Sequence, residues 1–68
     1  MKIELNGDPV EVRDSASVAE LVLAAGADPA RRGIAVALDG EVVTRSAWET
    51  TVVAEGQKIE VLQAMQGG

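Results

Sequence analysis

Apolar and polar residues alternate in short runs at both ends of this chain, and between Ser17 and Gly26 the spacing lengthens to that of a helix. Ile3 and Leu5 alternate with Lys2 and Glu4, and Val10 and Val12 with Glu11 and Arg13. A period of two marks strands with one buried face. Between the two runs lies Asn6-Gly7-Asp8-Pro9, where Asn-Gly supplies the positive φ angles of a tight turn. Pro9 falls at a strand start, where its missing N–H does least harm. Met1 to Val12 is therefore predicted to be a hairpin.

Ser17-Val18-Ala19-Glu20 has the form of a capping box, and Val18, Leu21, Val22 and Ala25 follow at i, i+3, i+4 and i+7. Gly26 is a natural left-handed stop. The spacing predicts one amphipathic helix of about two to three turns, with Ala24 and Ala27 extending its small-residue surface. Asp28-Pro29 opens a loop that runs through Arg31, Arg32 and Gly33. Ile34 to Leu38 is apolar throughout, which predicts a strand covered on much of both faces. Asp39-Gly40 begins a second hairpin, and Val42 and Val43 return the chain. Ser46-Ala47-Trp48-Glu49 carries another Ser-x-x-Glu capping signal, but the β-branched run from Thr50 to Val53 allows at most one helical turn. After a turn at Glu55-Gly56, Ile59 and Val61 alternate with Lys58 and Glu60 in a final strand.

The order is strand, strand, helix, strand, strand, turn, strand. A lone helix after a hairpin must cover one face of the sheet, because each alone leaves its apolar side wet. The predicted class is α+β with a mixed sheet of four to five strands, the first and last lying parallel in the middle. That is the β-grasp, or ubiquitin-like, architecture. Residues 1–68 are expected to form a single domain, with residues 64–68 a flexible functional tail.

Composition narrows the chemistry. The chain has 68 residues, no cysteine and no histidine. Disulfides, thiol redox chemistry and nitrogen or sulfur metal ligands are thereby removed, along with the usual nucleophile–base pairs. The chain is expected not to be an enzyme, with no catalytic residue, metal or bound cofactor of its own. A net charge of −5 argues against nucleic acid and against anionic lipid. Two readings of that charge stand: attraction to a basic partner, or plain solubility. No run approaches membrane-spanning length and the start does not read as a signal peptide, so the expected location is the cytoplasm.

The chain ends on Gly67-Gly68. Glycine contributes nothing to packing, so two of them after a strand make sense where the terminus itself works, threading a narrow slot to present its carboxylate. A frayed end is the plain alternative. Leu62 should turn outward from the strand that buries Ile59 and Val61. It is a candidate partner contact, although single exposed leucines are common. Trp48, the only aromatic residue, reads as core filling in preference to an interface anchor. Arg31 and Arg32 read as a solvated loop, with contact to an acidic partner as the alternative.

One family gathers these pieces. Asn6-Gly7, Val18-Ala19-Glu20-Leu21, Val36-Ala37-Leu38-Asp39-Gly40-Glu41-Val42-Val43, Arg45-Ser46-Ala47-Trp48, Glu55-Gly56-Gln57-Lys58-Ile59-Glu60-Val61 and the closing Gln66-Gly67-Gly68 together resemble the bacterial sulfur carriers of thiamine biosynthesis, the ThiS family. The resemblance spans nearly the whole chain. That family usually has Asn at the place of Asp39, an acidic residue at that of Gln57 and more often Val at that of Met65.

The resemblance implies that a ThiF/MoeB-like adenylating enzyme activates the Gly68 carboxylate with ATP. A sulfur donor such as a persulfide protein would turn it into a thiocarboxylate, which a ThiG-like thiazole synthase would consume. Gly67 would give clearance, and Gln66, Met65 and Ala64 would form an extended approach able to pair with a partner's main chain. In the free protein these three stand equally as plain disorder. Sulfur carriers for molybdopterin or cysteine synthesis share the fold and the terminus, and a ubiquitin-like protein modifier would join its glycine to a lysine.

Overall fold

A computed structural model describes residues 1–28, Ala30 and 32–63. It contains five strands, β1 (Lys2–Leu5), β2 (Asp8–Glu11), β3 (Ile34–Leu38), β4 (Glu41–Val43) and β5 (Lys58–Gln63), with a helix α1 (Val18–Ala24). They form one mixed sheet in the order β2-β1-β5-β3-β4, in which β1 and β5 are the only parallel neighbours among the described residues. This is the expected β-grasp arrangement, with all five strands present.

The first hairpin turns through Asn6 at φ 50° and Gly7 at φ 87°. Two successive positive φ angles match the turn to the strand twist, which Asn and Gly tolerate best. The closing pair is Leu5–Asp8, so Glu4–Pro9 is a non-hydrogen-bonded pair and the Pro9 nitrogen faces away from β1. On an edge strand that nitrogen leaves no ladder position empty. The β3–β4 hairpin repeats the device, with Asp39 at φ 48° and Gly40 at φ 86°.

Helix α1 begins where the capping box predicts. The Glu20 amide donates to Ser17 Oγ at 3.3 Å, and the Ser17 amide donates to Glu20 Oε2 at 2.8 Å. The helix ends at Gly26, whose φ of 84° is the left-handed stop. Val18, Leu21 and Val22 are fully buried against Ile3, Val36 and Ile59 in one aliphatic core. Each contributes about 2 kcal/mol by leaving water. Ala27 joins this core, whereas Ala24 is exposed, on the side of the two-turn helix that points away from the sheet.

Two further expectations are corrected. β3 is covered on one face only: Val36 is buried, while Ala35 on the other face is exposed. One helix cannot cover both faces, and β3 manages its open side with alanines. The Ser46 capping signal is not used either. A single 3₁₀ turn at Arg45–Ala47 begins two residues earlier, with Thr44 in the cap position in place of Ser46 and no side-chain cap bond.

Trp48 closes the core beneath this turn, as expected of a structural residue. It is 3% exposed, its indole N–H donates to the Val43 carbonyl at 3.0 Å, and the Arg45 guanidinium lies 4.5 Å from the ring centre. The segment after it runs against the start of α1. The Val18 amide donates to the Thr51 carbonyl and the Val53 amide to the Ala16 carbonyl, both at 2.9 Å, forming an isolated bridge at Ser17–Val52 that no pattern in the sequence foretold.

The two turn residues that depart from the family pattern touch each other. Gln57 Nε2 donates to Asp39 Oδ2 at 3.1 Å, and the Lys58 amide donates to Asp39 Oδ1 at 2.9 Å. Gln57 also accepts from the Ala54 amide at 2.7 Å, so the pair ties the β3–β4 turn to the entry of β5. Among the described residues no helix is long and apolar enough to cross a membrane.

Two predictions follow from these contacts. Glu20 also pairs with Arg13 at 2.7 Å through both carboxylate oxygens. Hydrogen bonding by Arg13 first, and by the Ser17 amide second, lowers its pKa from 4.5 to about 2. A carboxylate with a depressed folded pKa stabilises above its unfolded pKa and loses that contribution as pH falls. The Tm advantage of the wild type over Glu20→Gln should therefore hold at neutral pH and close between about pH 4.5 and about 2. A gap that stays constant through that window would count against the Arg13–Glu20 pair. The second concerns Asp39 and Gln57. Gln57→Glu should destabilise by about 1 kcal/mol by setting two carboxylates together, and adding Asp39→Asn should restore most of it. Denaturant melts of the four variants measure that coupling.

Candidate functional site at the end of the last strand

β5 is the last strand in sequence and the middle strand in space. Its side toward β3 is paired along its length, from Leu38–Ile59 to Ile34–Gln63. Its side toward β1 is paired only at Glu4–Lys58 and Leu5–Ile59, because β1 then turns away into its hairpin. Asn6 bridges the break. Its amide donates to the Ile59 carbonyl at 2.9 Å, and its Oδ1 accepts from the Val61 amide at 2.8 Å. The turn residue thus caps the central strand with its side chain. Sequence reading assigned Asn6 a turn role alone, because the partner lies 55 residues away.

Alternation along β5 places Ile59 and Val61 in the core and Lys58, Glu60 and Leu62 on the open face. Leu62 is 64% exposed, so the outward direction expected of it is observed. Its partner in the ladder is Ala35, and across the sheet Ala37 faces Val42, which is 78% exposed. An apolar strip therefore crosses the open face from β5 to β4. Val42 was legible in principle: the Asp39-Gly40 turn fixes the register that points Val43 inward and Val42 outward.

Beside Leu62, between the first hairpin turn and β5, lies an open notch of about 440 Å³ whose rim includes Glu4, Asn6, Glu60 and Leu62. Glu4, Glu60 and Lys58 all line it, two acids and one base. No group of three or more acidic residues among those described is arranged to hold a metal ion. Every buried side-chain polar atom described has a hydrogen-bond partner. The described part of the site is an exposed surface beside the last strand, next to Leu62. Ala64, Met65, Gln66, Gly67 and Gly68, expected to carry the working terminus, lie outside the described residues, as does Arg31; Arg32 is exposed.

Comparison with known proteins places the chain. It matches the ThiS family over residues 3–68. It is similar to the crystal structure of a thiamine biosynthesis protein (ThiS) from Geobacter metallireducens, at 37% identity and a TM-score of 0.79, with all of both chains covered. An NMR solution structure of a thiamine biosynthesis protein from the same organism gives the same identity and TM-score, over the whole of this chain and 88% of that one. None of the curated proteins matches the chain.

Proposed function

Because the chain belongs to the ThiS family, we propose that it is the sulfur carrier of a thiamine biosynthesis pathway in the cytoplasm, loaded at the carboxylate of Gly68. The observation that carries this reading is the match from residue 3 to residue 68, which includes the Gly67-Gly68 end.

A free α-carboxylate has a pKa of about 3.3–3.7, is ionised at neutral pH, and resists attack by another nucleophile. An oxygen of the Gly68 carboxylate attacks the α-phosphorus of ATP on a ThiF/MoeB-like enzyme, releasing pyrophosphate and leaving an acyl adenylate. The terminal sulfur of a persulfide donor then displaces AMP from the acyl carbon. A thiol cleaves the resulting sulfur–sulfur bond, forms a disulfide with the donor, and leaves a thiocarboxylate on Gly68. This soft anionic sulfur is delivered to a ThiG-like thiazole synthase. The carrier supplies no catalytic group of its own. It supplies a terminus without side chains at Gly67 and Gly68, and a docking surface at Leu62 beside the exit of β5.

Deleting Gly68, or adding one residue after it, should abolish sulfur loading while leaving Tm unchanged. Gly67→Val should impair loading by crowding the slot and restricting φ. Exchange of oxygen for sulfur weighs nearly the same as oxidation of Met1 or Met65. Tandem mass spectrometry must therefore place the change on Gly68, supported by trapping with a thiol-reactive alkylator that a chain without cysteine otherwise resists. Alkylation of a carrier lacking Gly68, after ATP, adenylating enzyme and sulfur donor are added, would overturn the reading. Transfer of the sulfur to an acceptor other than thiazole synthase would move the protein to a different pathway.

Leu62→Glu should weaken binding to the adenylating enzyme about tenfold, or ~1.4 kcal/mol. Stability should stay within about 0.5 kcal/mol of wild type, because the side chain is exposed. Titration calorimetry and a thermal melt separate the two effects. Unaltered binding would leave Leu62 as an ordinary surface residue.

A further inference from the structure

We propose that the outer edge of β5 at Val61–Gln63 is a strand-docking site, at which an extended segment of the adenylating enzyme pairs main chain to main chain with the carrier. This rests on the proposed loading of Gly68 and adds where the enzyme takes hold of the chain before its terminus.

The hydrogen-bonding directions along β5 follow from two contacts. The Asp39 amide donates to the Lys58 carbonyl at 2.7 Å, so Lys58, and with the alternation Glu60 and Leu62, turn their main-chain groups toward β3. Ile59, Val61 and Gln63 turn theirs toward the β1 side. There the Ile59 carbonyl is taken by the Asn6 amide and the Val61 amide by Asn6 Oδ1. β1 pairs no further than Leu5–Ile59. The Val61 carbonyl and the Gln63 amide and carbonyl therefore point to the β1 side, beyond Asn6, with no strand beside them among the described residues.

Three features select the occupant. These groups, with no strand beside them among the described residues, repeat along one strand edge, a pattern that another extended main chain satisfies in register and an isolated side chain does not. The notch is lined by two acids, Glu4 and Glu60, against the single base Lys58, and the chain carries a net charge of −5, so the incoming segment carries Lys or Arg. The edge also runs directly into the terminus. Gly68 lies five positions beyond Gln63, and at about 3.3 Å per extended residue that stretch spans at most about 17 Å. Pairing at Gln63 thus sets how deep in the enzyme the carboxylate can reach. Asn6 fixes the start of the docking site by occupying the first donor, so that the partner strand registers on Val61 and Gln63.

The test uses the full chain and the ThiF/MoeB-like adenylating enzyme of the same organism. Hydrogen exchange of the wild-type Gln63 amide, read by NMR, should slow at least tenfold in the complex with enzyme. Gln63→Pro removes that N–H without touching the β3 ladder, much as Pro9 does in β2. It should weaken binding about tenfold relative to Gln63→Ala, which keeps the main chain, with both variants melting near the wild-type temperature. Unchanged exchange at Gln63, or Gln63→Pro binding within twofold of Gln63→Ala, would overturn the proposal. Where the wild type is adenylated normally, either of those results removes the edge contact and leaves the loading of Gly68 standing. A wild type that binds the enzyme but is never adenylated removes both.

Discussion

The position of β5 is the constraint on which the molecule depends. The last strand of the chain is inserted between the first and the third, parallel to one and antiparallel to the other. A parallel neighbour needs a crossover, and here the whole of residues 6–57 serves as one, carrying α1 across one face of the sheet. Because β5 is central, it is held by β3 along its length and by β1 over its first two residues.

The same insertion explains where the surface is open. β1 stops opposite Ile59 because Asn6 and Gly7 turn it into its hairpin, whereas β3 continues to Gln63. The mismatch leaves the notch. Asn6 partly repairs it by replacing a strand with a side-chain oxygen, which keeps the Val61 amide from being half-buried and unpaired. A single helix leaves the opposite face of the sheet uncovered, so Leu62, Ala35 and Val42 remain at the surface. Small residues on β3 keep that strip shallow, and the exposed leucine next to the terminus is its most prominent element.

With so few large residues, the core relies on local devices to fix each element. The capping box fixes the start of α1, and the Arg13–Glu20 pair reinforces it. Trp48 fills the space that several smaller residues would otherwise leave, and its indole N–H holds the end of β4. Asp39 and Gln57 clamp the second hairpin to the base of β5.

What the sequence determined by itself is the set of elements. Period-two and helical spacing, Asn-Gly and Asp-Gly turns, one Ser-x-x-Glu cap and a terminal Gly-Gly are all local signals, and each is written within a few neighbouring residues. They sufficed for the strand order, the outward direction of Leu62 and the structural place of Trp48. Tertiary structure decided whatever depends on partners far apart in the chain. Ser46 carried the letters of a cap, but with Trp48 packed in the core and Thr51 bonded to the Ala47 carbonyl the turn is set two residues earlier. Ile34–Leu38 carried the letters of a strand covered on much of both faces, but one helix has only one face to cover. Asn6 carried the letters of a turn, and only the arrival of Val61, 55 residues later, made its side chain part of the central ladder. Local spacing encodes which way a residue points; what it meets there is set by chain folding back from a distance, and no short pattern records that.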